Sequence, residues 1–385
     1  MAGMKDGPSS SLFTPLPLRG NATFAGLARA GLSKQMTAML NRAPRGECVC
    51  WGIPFRVGDR PVSIGDKPVS VKLGPIKAPW LVFLHTSDNK PLRPNQDGFI
   101  PSSPGVGRLA EHAADYVFVY ADGSEESAAI RRRHQIGAFA RPWGENCFEC
   151  VPHHKPFALP ANSSQVNPNR AWGRLQTRAD AADWEGMANW LWAWENPHPK
   201  KALAGLRFEP VSGAAVVVWA LSAGRVSSPP LRWDTRRKAL LTLPRGEQLD
   251  PNVDNQGLLP QIQLDMGQVI SATCRPIYPN STWRRTYNNR VPEISPREAL
   301  IEYTAHPEAR FHLPGGKTVP LSRLRAPGKG GRLRVVEPAT QRVTLRAVAR
   351  ETGKPVAVKL HVHGEAGEYL APIDPSTTPL PSQPA

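Results

Sequence analysis

The most strongly patterned stretch of this chain runs from Asn189 to Pro199, where tryptophan occupies every second position: Trp190, Trp192 and Trp194. A β-strand sends alternate side chains to opposite faces, so the three indoles share one face. Such a face is either the deep core of a β-sandwich or an exposed aromatic platform. Indoles usually bury most of their area, which makes core the expectation and platform the alternative. Pro197 and Pro199 remove ladder donors and force a turn. A second apolar run, Ala202 to Glu209, follows and reads as the partner strand.

The same strand and turn grammar covers most of the chain. Residues 1–20, rich in Ser, Pro and Gly, read as a disordered leader. Phe24, Leu27, Leu32, Met36, Met39 and Leu40 hold roughly helical spacing and predict one amphipathic helix, ended by Pro44 and Gly46. From Cys48 the pattern turns β. Cys48 to Phe55 reads as one strand, with Cys48 and Cys50 assigned to opposite faces, and Val69 to Leu73 as another. Trp80 to Thr86 is a continuous apolar run, as in a strand buried on both sides. Tyr116 to Tyr120 ends at Asp122-Gly123, a hairpin signal. Residues 151–186 are polar and irregular, long enough for a functional surface loop. After Ala215 to Leu221, the Ser227 to Pro230 segment marks a boundary. Strands are expected at Leu240 to Leu243, Gln261 to Asp265 and Leu300 to Thr304. Beyond the Gly328 to Gly331 linker, Arg342 to Ala349 and Val356 to His363 alternate cleanly around a turn at Glu351 to Pro355.

The fold class is therefore all-β, a jelly-roll-like sandwich followed by further β modules. The expected division is 1–45 leader and amphipathic helix, 46–226 sandwich, 231–327 second β module, 332–373 small sandwich and 374–385 disordered tail. With 41 prolines and 32 glycines spread through 385 residues, composition agrees with many short strands. No run of 18 apolar residues exists, so no membrane partner is expected. The N-terminus lacks an apolar signal region. Five cysteines are too few and too scattered for a disulfide framework, so a reducing compartment, the cytoplasm, is expected. The net charge of +16 comes from scattered basic residues in short runs such as Arg131 to Arg133. Without a recognisable nucleic-acid motif this reads as a solvated surface, and nucleic acid enters only as a nonspecific, salt-sensitive third reading.

Tyr120 to Ser124 after a strand, together with Asn189 to Pro197, resembles jelly-roll modules related to carbohydrate-binding domains. Glu351 to Glu365 and Tyr369 to Pro372 resemble the carboxypeptidase-regulatory-like sandwich. In this order the pair is similar to the N-terminal, non-catalytic region of bacterial CehA/McbA-type metallohydrolases, over roughly residues 48–373. In that family a metal-binding hydrolase domain with His-x-His clusters follows, whereas here the sequence ends soon after Pro372. The resemblance implies an accessory region without its hydrolase domain, either supplied by another polypeptide or absent because the chain is a truncated or split product.

The site residues follow from chemistry. Trp172 and Trp184 in the long segment, with Arg174, Gln176 and Asn189, offer aromatic faces and amide or guanidinium donors, which suit the CH faces and hydroxyl edges of a sugar. A glycan is the expected ligand. No cofactor is expected. For a divalent metal the candidates are His361 and His363, on one face of a strand, with Glu365 or Glu368 as a third ligand. Cys147 and Cys150 with His153 and His154 form a second metal candidate, too closely spaced for a standard finger. No nucleophile elbow, phosphate loop or dinucleotide loop occurs. The reading is a binding or scaffolding region without catalysis of its own. The alternative is a metal-dependent hydrolase completed by another chain or module.

Overall fold

The computed structural model describes residues 4–89, 96–98, 108–140, 146–155, 186–211, 213–250, 254, 256–277, 293–324, 332–358, 362–368 and 370. In chain order the strands of the first half are β1 (Phe13–Leu16), β2 (Gly46–Cys50), β3 (Ile53–Val57), β4 (Val62–Ile64), β5 (Val69–Ile76), β6 (Trp80–Ser87), β7 (His112–Tyr120), β8 (Glu125–Arg131), β9 (Val151–Pro152), β10 (Trp190–Glu195), β11 (Leu203–Pro210) and β12 (Val216–Gly224). The second half adds β13 (Arg237–Thr242), β14 (Gln263–Leu264), β15 (Gly267–Ile277), β16 (Glu293–Ala305), β17 (Arg310–Leu313), β18 (Lys317–Pro320) and β19 (Leu333–Val336). Helices are short: α1 (Phe24–Leu27), α2 (Lys34–Met39) and α3 (Leu321–Leu324). The protein is all-β.

Two antiparallel sheets face each other in the first half. One is ordered β1-β12-β6-β10-β9, with β4 also on β12, and the other β5-β11-β7-β8. Set aside the short β4 and β9 and the β2–β3 hairpin, and eight strands remain. Counted along the chain, they run first-eighth-third-sixth in one sheet and second-seventh-fourth-fifth in the other. That is the jelly-roll order, two Greek keys folded onto one core. The second half contributes a sheet β15-β16-β13-β19 and a small sheet β14-β17-β18.

Register explains where the indoles go. Trp190, Trp192 and Trp194 lie opposite His85, Phe83 and Leu81 on β6, all on the inner face of the sandwich. There they meet Tyr116, Phe118, Leu206 and Phe208 from the other sheet. The stripe is core, not platform: the three indoles are 1%, 5% and 8% exposed. The outer face of the same sheet is buried too. Val82, Leu84, Leu191 and Val217 pack against α2, the β2–β3 hairpin and, through one continuous apolar cluster, the second-half residues Leu241, Ile301 and Tyr303. Burial on both faces is why β6 and β12 read as unbroken apolar runs.

Several elements differ from the sequence-based expectation. The Trp strand and its successor are not a hairpin. β10 pairs with β6 and β9, whereas β11 pairs with β5 and β7, so the proline turn arches between sheets. Asn196 holds that arch: its buried amide donates to the Ala78 carbonyl at 2.9 Å and accepts from the Tyr120 hydroxyl at 2.6 Å. The leader contains β1, antiparallel to β12. The single helix is two, because Gly31 takes a left-handed φ of 78° and Ser33 caps a new start by accepting from the Met36 amide. Cys48 to Phe55 is β2, a turn at Trp51-Gly52, and β3. Cys48 and Cys50, two residues apart, share one face and one core.

At the far end the predicted turn is present. Ala349 donates to the Lys354 carbonyl and Val356 to the Ala347 carbonyl, around Gly353 at φ 64°. Among the described residues an isolated bridge between Val348 and Pro355 joins the two arms. This register puts Val343, Leu345, Ala347, Val356 and Val358 on one face, and Val343 and Leu345 are 70% and 59% exposed. Leu345→Lys is therefore expected to change stability by no more than about 0.5 kcal/mol, as for ordinary surface positions. Thermal melting checks this, and a large loss would mean that the face is covered.

Candidate functional site

One end of the jelly roll brings together a left-handed turn, the Cys147 to His154 segment and a buried Asp6–Lys155 cluster. β8 ends at Arg131 and enters a tight turn in which Arg133 takes φ 60°, a left-handed value that is uncommon outside glycine. The carbonyls of this turn receive the next segment. Phe148 N–H donates to Arg133 O at 3.0 Å, and the amides of Glu149 and Cys150 donate to His134 O at 3.1 and 3.0 Å. Gln135 Nε2 adds a bond to Glu149 Oε2 at 2.8 Å. The chain then forms β9 along the edge of β10, and His153 N–H donates to Asn189 O at 2.9 Å.

Asn189, a candidate for sugar contact, is fully buried and committed elsewhere. Its Nδ2 donates to Met187 O at 2.9 Å, and its Oδ1 accepts from Trp219 Nε1 at 2.7 Å. The cause is a bulge in β12 between Val218 and Ala220. The extra residue turns Trp219 to the outer face of the sheet, where its N–H needs a buried acceptor. Asn189 supports this end of the scaffold rather than facing a ligand. Trp172, Arg174, Gln176 and Trp184 lie outside the described residues.

The segment that leads into residues 156–185 is tied down by a buried ionic cluster. Asp6 accepts from the Trp51 amide at 3.0 and 2.9 Å and from the Lys155 amide at 2.9 Å. Lys155 Nζ donates to the carbonyls of Leu264 and Asp265 at 3.1 and 2.6 Å. Burial lowers the Lys155 pKa, opposed by the charges of Asp6 and Asp265. Trp51 sits at φ 57° and Gly52 at φ 79°, a two-residue hairpin turn with both central residues left-handed. A Cβ at Gly52 would overlap the Asp265 carbonyl, so glycine is required. The Trp51 indole donates to Pro152 O at 2.8 Å and packs on Trp233 at 4.4 Å. A cavity of about 20 Å³ beside Asp6, Lys155 and Gln263 has room for one water-sized molecule. The cluster joins the N-terminal segment, the sandwich and the second-half sheets. Its size suits a structural clamp rather than a sugar site.

Behind the indoles lies a buried pair that the sequence did not single out. His85 Nδ1 is 2.9 Å from the Tyr116 hydroxyl, and Nε2 is 3.0 Å from Gln135 O. The carbonyl can only accept, so Nε2 carries the proton and Nδ1 accepts from tyrosine. Burial brings the His85 pKa down to about 3 and pushes the Tyr116 pKa well up.

Of the C-terminal metal candidates, His363, Glu365 and Glu368 are among the described residues. Gly364 N–H donates to Glu368 O and Leu370 N–H to Val362 O, a hairpin closed by Gly367 at φ 81°. Pairing of 364 with 368 places Glu368 on the face of Gly364, opposite that of His363. Glu365 is exposed at the turn, with its carbonyl accepting from Arg275 Nη2 at 2.7 Å. His361 lies outside the described residues. In the Cys147 to His154 segment, His153 Nδ1 is 3.1 Å from Asn189 O and His154 Nδ1 is 2.5 Å from Lys155 O. Among the described residues no group of three His, Cys, Asp or Glu side chains is placed to hold a metal ion. Nor, among them, is any helix long and apolar enough to cross a membrane.

No family model matches the chain, and neither the curated proteins nor the solved structures yield a match.

Proposed function

We propose that this chain is a non-catalytic binding region that holds a glycan at the end of the jelly roll where residues 156–185 depart and return. The observation that carries this reading is the anchoring of that segment. It leaves from Lys155, clamped by Asp6 and two carbonyls. It returns at Met187 to Asn189, tied to His153 and Trp219. Rigid scaffolds that present long loops are the usual platform for recognition. With the Trp190 to Trp194 stripe spent in the core, the aromatic surface for a sugar falls to Trp172 and Trp184, with Arg174 and Gln176 as polar partners.

Trp172→Ala should abolish most glycan binding and leave the melting temperature unchanged, because an indole that stacks on a sugar contributes to recognition and little to folding. A glycan-array screen of the parent, followed by titration and melting of the variant, tests this. A parent that binds no glycan, or a variant that unfolds, turns residues 156–185 into a structural cover.

A further inference from the structure

Outside the proposed ligand site, the Cys147-Phe148-Glu149-Cys150 turn carries chemistry of its own. Its backbone is pinned by the three bonds to Arg133 O and His134 O, so its shape does not depend on the state of the sulfurs. All five cysteines are free thiols. Cys150 is only 3% exposed and packs in the sandwich core, whereas Cys147 is partly exposed at its edge. Both side chains belong to the same apolar cluster between the sheets. Phe148 between them is 67% exposed, with its ring 5.1 Å from His134. Cys48 and Cys50, by contrast, are buried at 1% and 0% in the other core.

We propose that Cys147 and Cys150 are a redox-modified pair that closes to a reversible disulfide by exchange with a small-molecule disulfide. An accessible cysteine followed three residues later by a buried one is the arrangement in which the first attacks and the second resolves. The Cys147 thiol loses its proton to solvent and attacks one sulfur of the small disulfide. That S–S bond breaks, one small thiolate leaves, and a mixed disulfide stands on Cys147. The Cys150 sulfur then attacks the Cys147 sulfur, gives up its proton, and displaces the second small thiolate. Two protein thiols are oxidised to one disulfide, and one small disulfide is reduced to two thiols. Burial keeps the Cys150 thiol protonated, so the second step is the slower one and quickens as pH rises.

The test uses the full chain carrying Cys274→Ser, which removes the other partly exposed thiol. It is incubated with oxidised glutathione, alkylated, and analysed by intact mass and peptide mapping. The expected result is loss of two alkylatable thiols, no retained glutathione and a Cys147–Cys150 linked peptide. Adding Cys150→Ser should stall the reaction as one glutathione adduct on Cys147. Adding Cys147→Ser should prevent reaction altogether, and this partly exposed position tolerates serine if the Cys150 variant does not fold. The proposal is overturned if the parent keeps a stable adduct or both thiols, or if the Cys147→Ser protein is modified at Cys150.

Discussion

Trp192→Ala is expected to cost about 3–5 kcal/mol, the range for emptying a large aromatic site in a core. The indole is 5% exposed and sits between the sheets, with ring centroids 5.4 Å from Phe83, 6.1 Å from Tyr116 and 6.4 Å from His85. Its neighbours cannot close the gap, because each is itself fixed. Tyr116 is bonded to His85, Trp190 donates to Ala138 O, and Trp194 stacks on Phe118 at 3.5 Å. A void bounded by pinned groups stays open, and the loss is a large share of the roughly 5–15 kcal/mol that a domain holds in total. Urea titration of parent and variant gives the number. A cost under about 1 kcal/mol would mean that this face is not the jelly-roll core.

How far the fold was legible can be judged from particular strands. The unbroken apolar run of Trp80 to Thr86 announced a strand buried on both faces, and β6 is one. The Asp122-Gly123 turn was legible because its chemistry is local: Gly123 adopts φ 83° and closes β7 on β8. What could not be read was which sheet each strand joins. β10 and β11 look like a hairpin because the turn between them is short. The arch depends on Asn196 meeting Ala78 and Tyr120, 118 and 76 positions away. β1 was hidden by its own composition. Its Pro15 suits an edge strand, where a missing donor costs little, but in sequence it reads as disorder.

The site was less legible for the same reason. Asn189 was noticed for its place beside the indoles, yet its role depends on a bulge in β12 that no periodicity announces. Nothing in the His153 to Lys155 stretch marks Lys155 as buried, since its partners Asp6 and Asp265 lie 149 and 110 positions away. The Cys-x-x-Cys spacing was visible, but it suggested metal. Only the geometry shows one thiol buried, one reachable, and the neighbouring imidazole nitrogens directed to backbone carbonyls.

The largest solution effect follows from His85. In the unfolded chain this imidazole titrates near its ordinary value of 6.5, and in the folded core only at about 3. Between those values the unfolded state binds a proton that the folded state refuses, so stability falls as pH drops below about 6.5. The slope approaches about 1.4 kcal/mol per pH unit for one such group, which amounts to roughly 2 kcal/mol at pH 5. His153, brought to about 4 with burial as the first cause, and His306, also lowered by burial, act in the same direction. The exposed carboxylates Asp122 and Glu125, whose values are lowered by hydrogen bonds to Ser124 and Arg207, also lose stabilisation on acidification, but only as pH approaches the ordinary carboxylate range at the lower end of this window. Around His85 the neighbours are Tyr116, Phe83, Trp192 and the Gln135 carbonyl, none of which can stabilise an imidazolium by charge. His85→Gln keeps a donor and an acceptor while removing the titration. Its free energy of unfolding at pH 7 should be lower than the parent's, but its decline between pH 6.5 and pH 4.5 should be shallower, by about 1.4 kcal/mol per pH unit at most. Urea titrations of both proteins across that range decide the matter. Parallel pH profiles would show that His85 is not held neutral by the core.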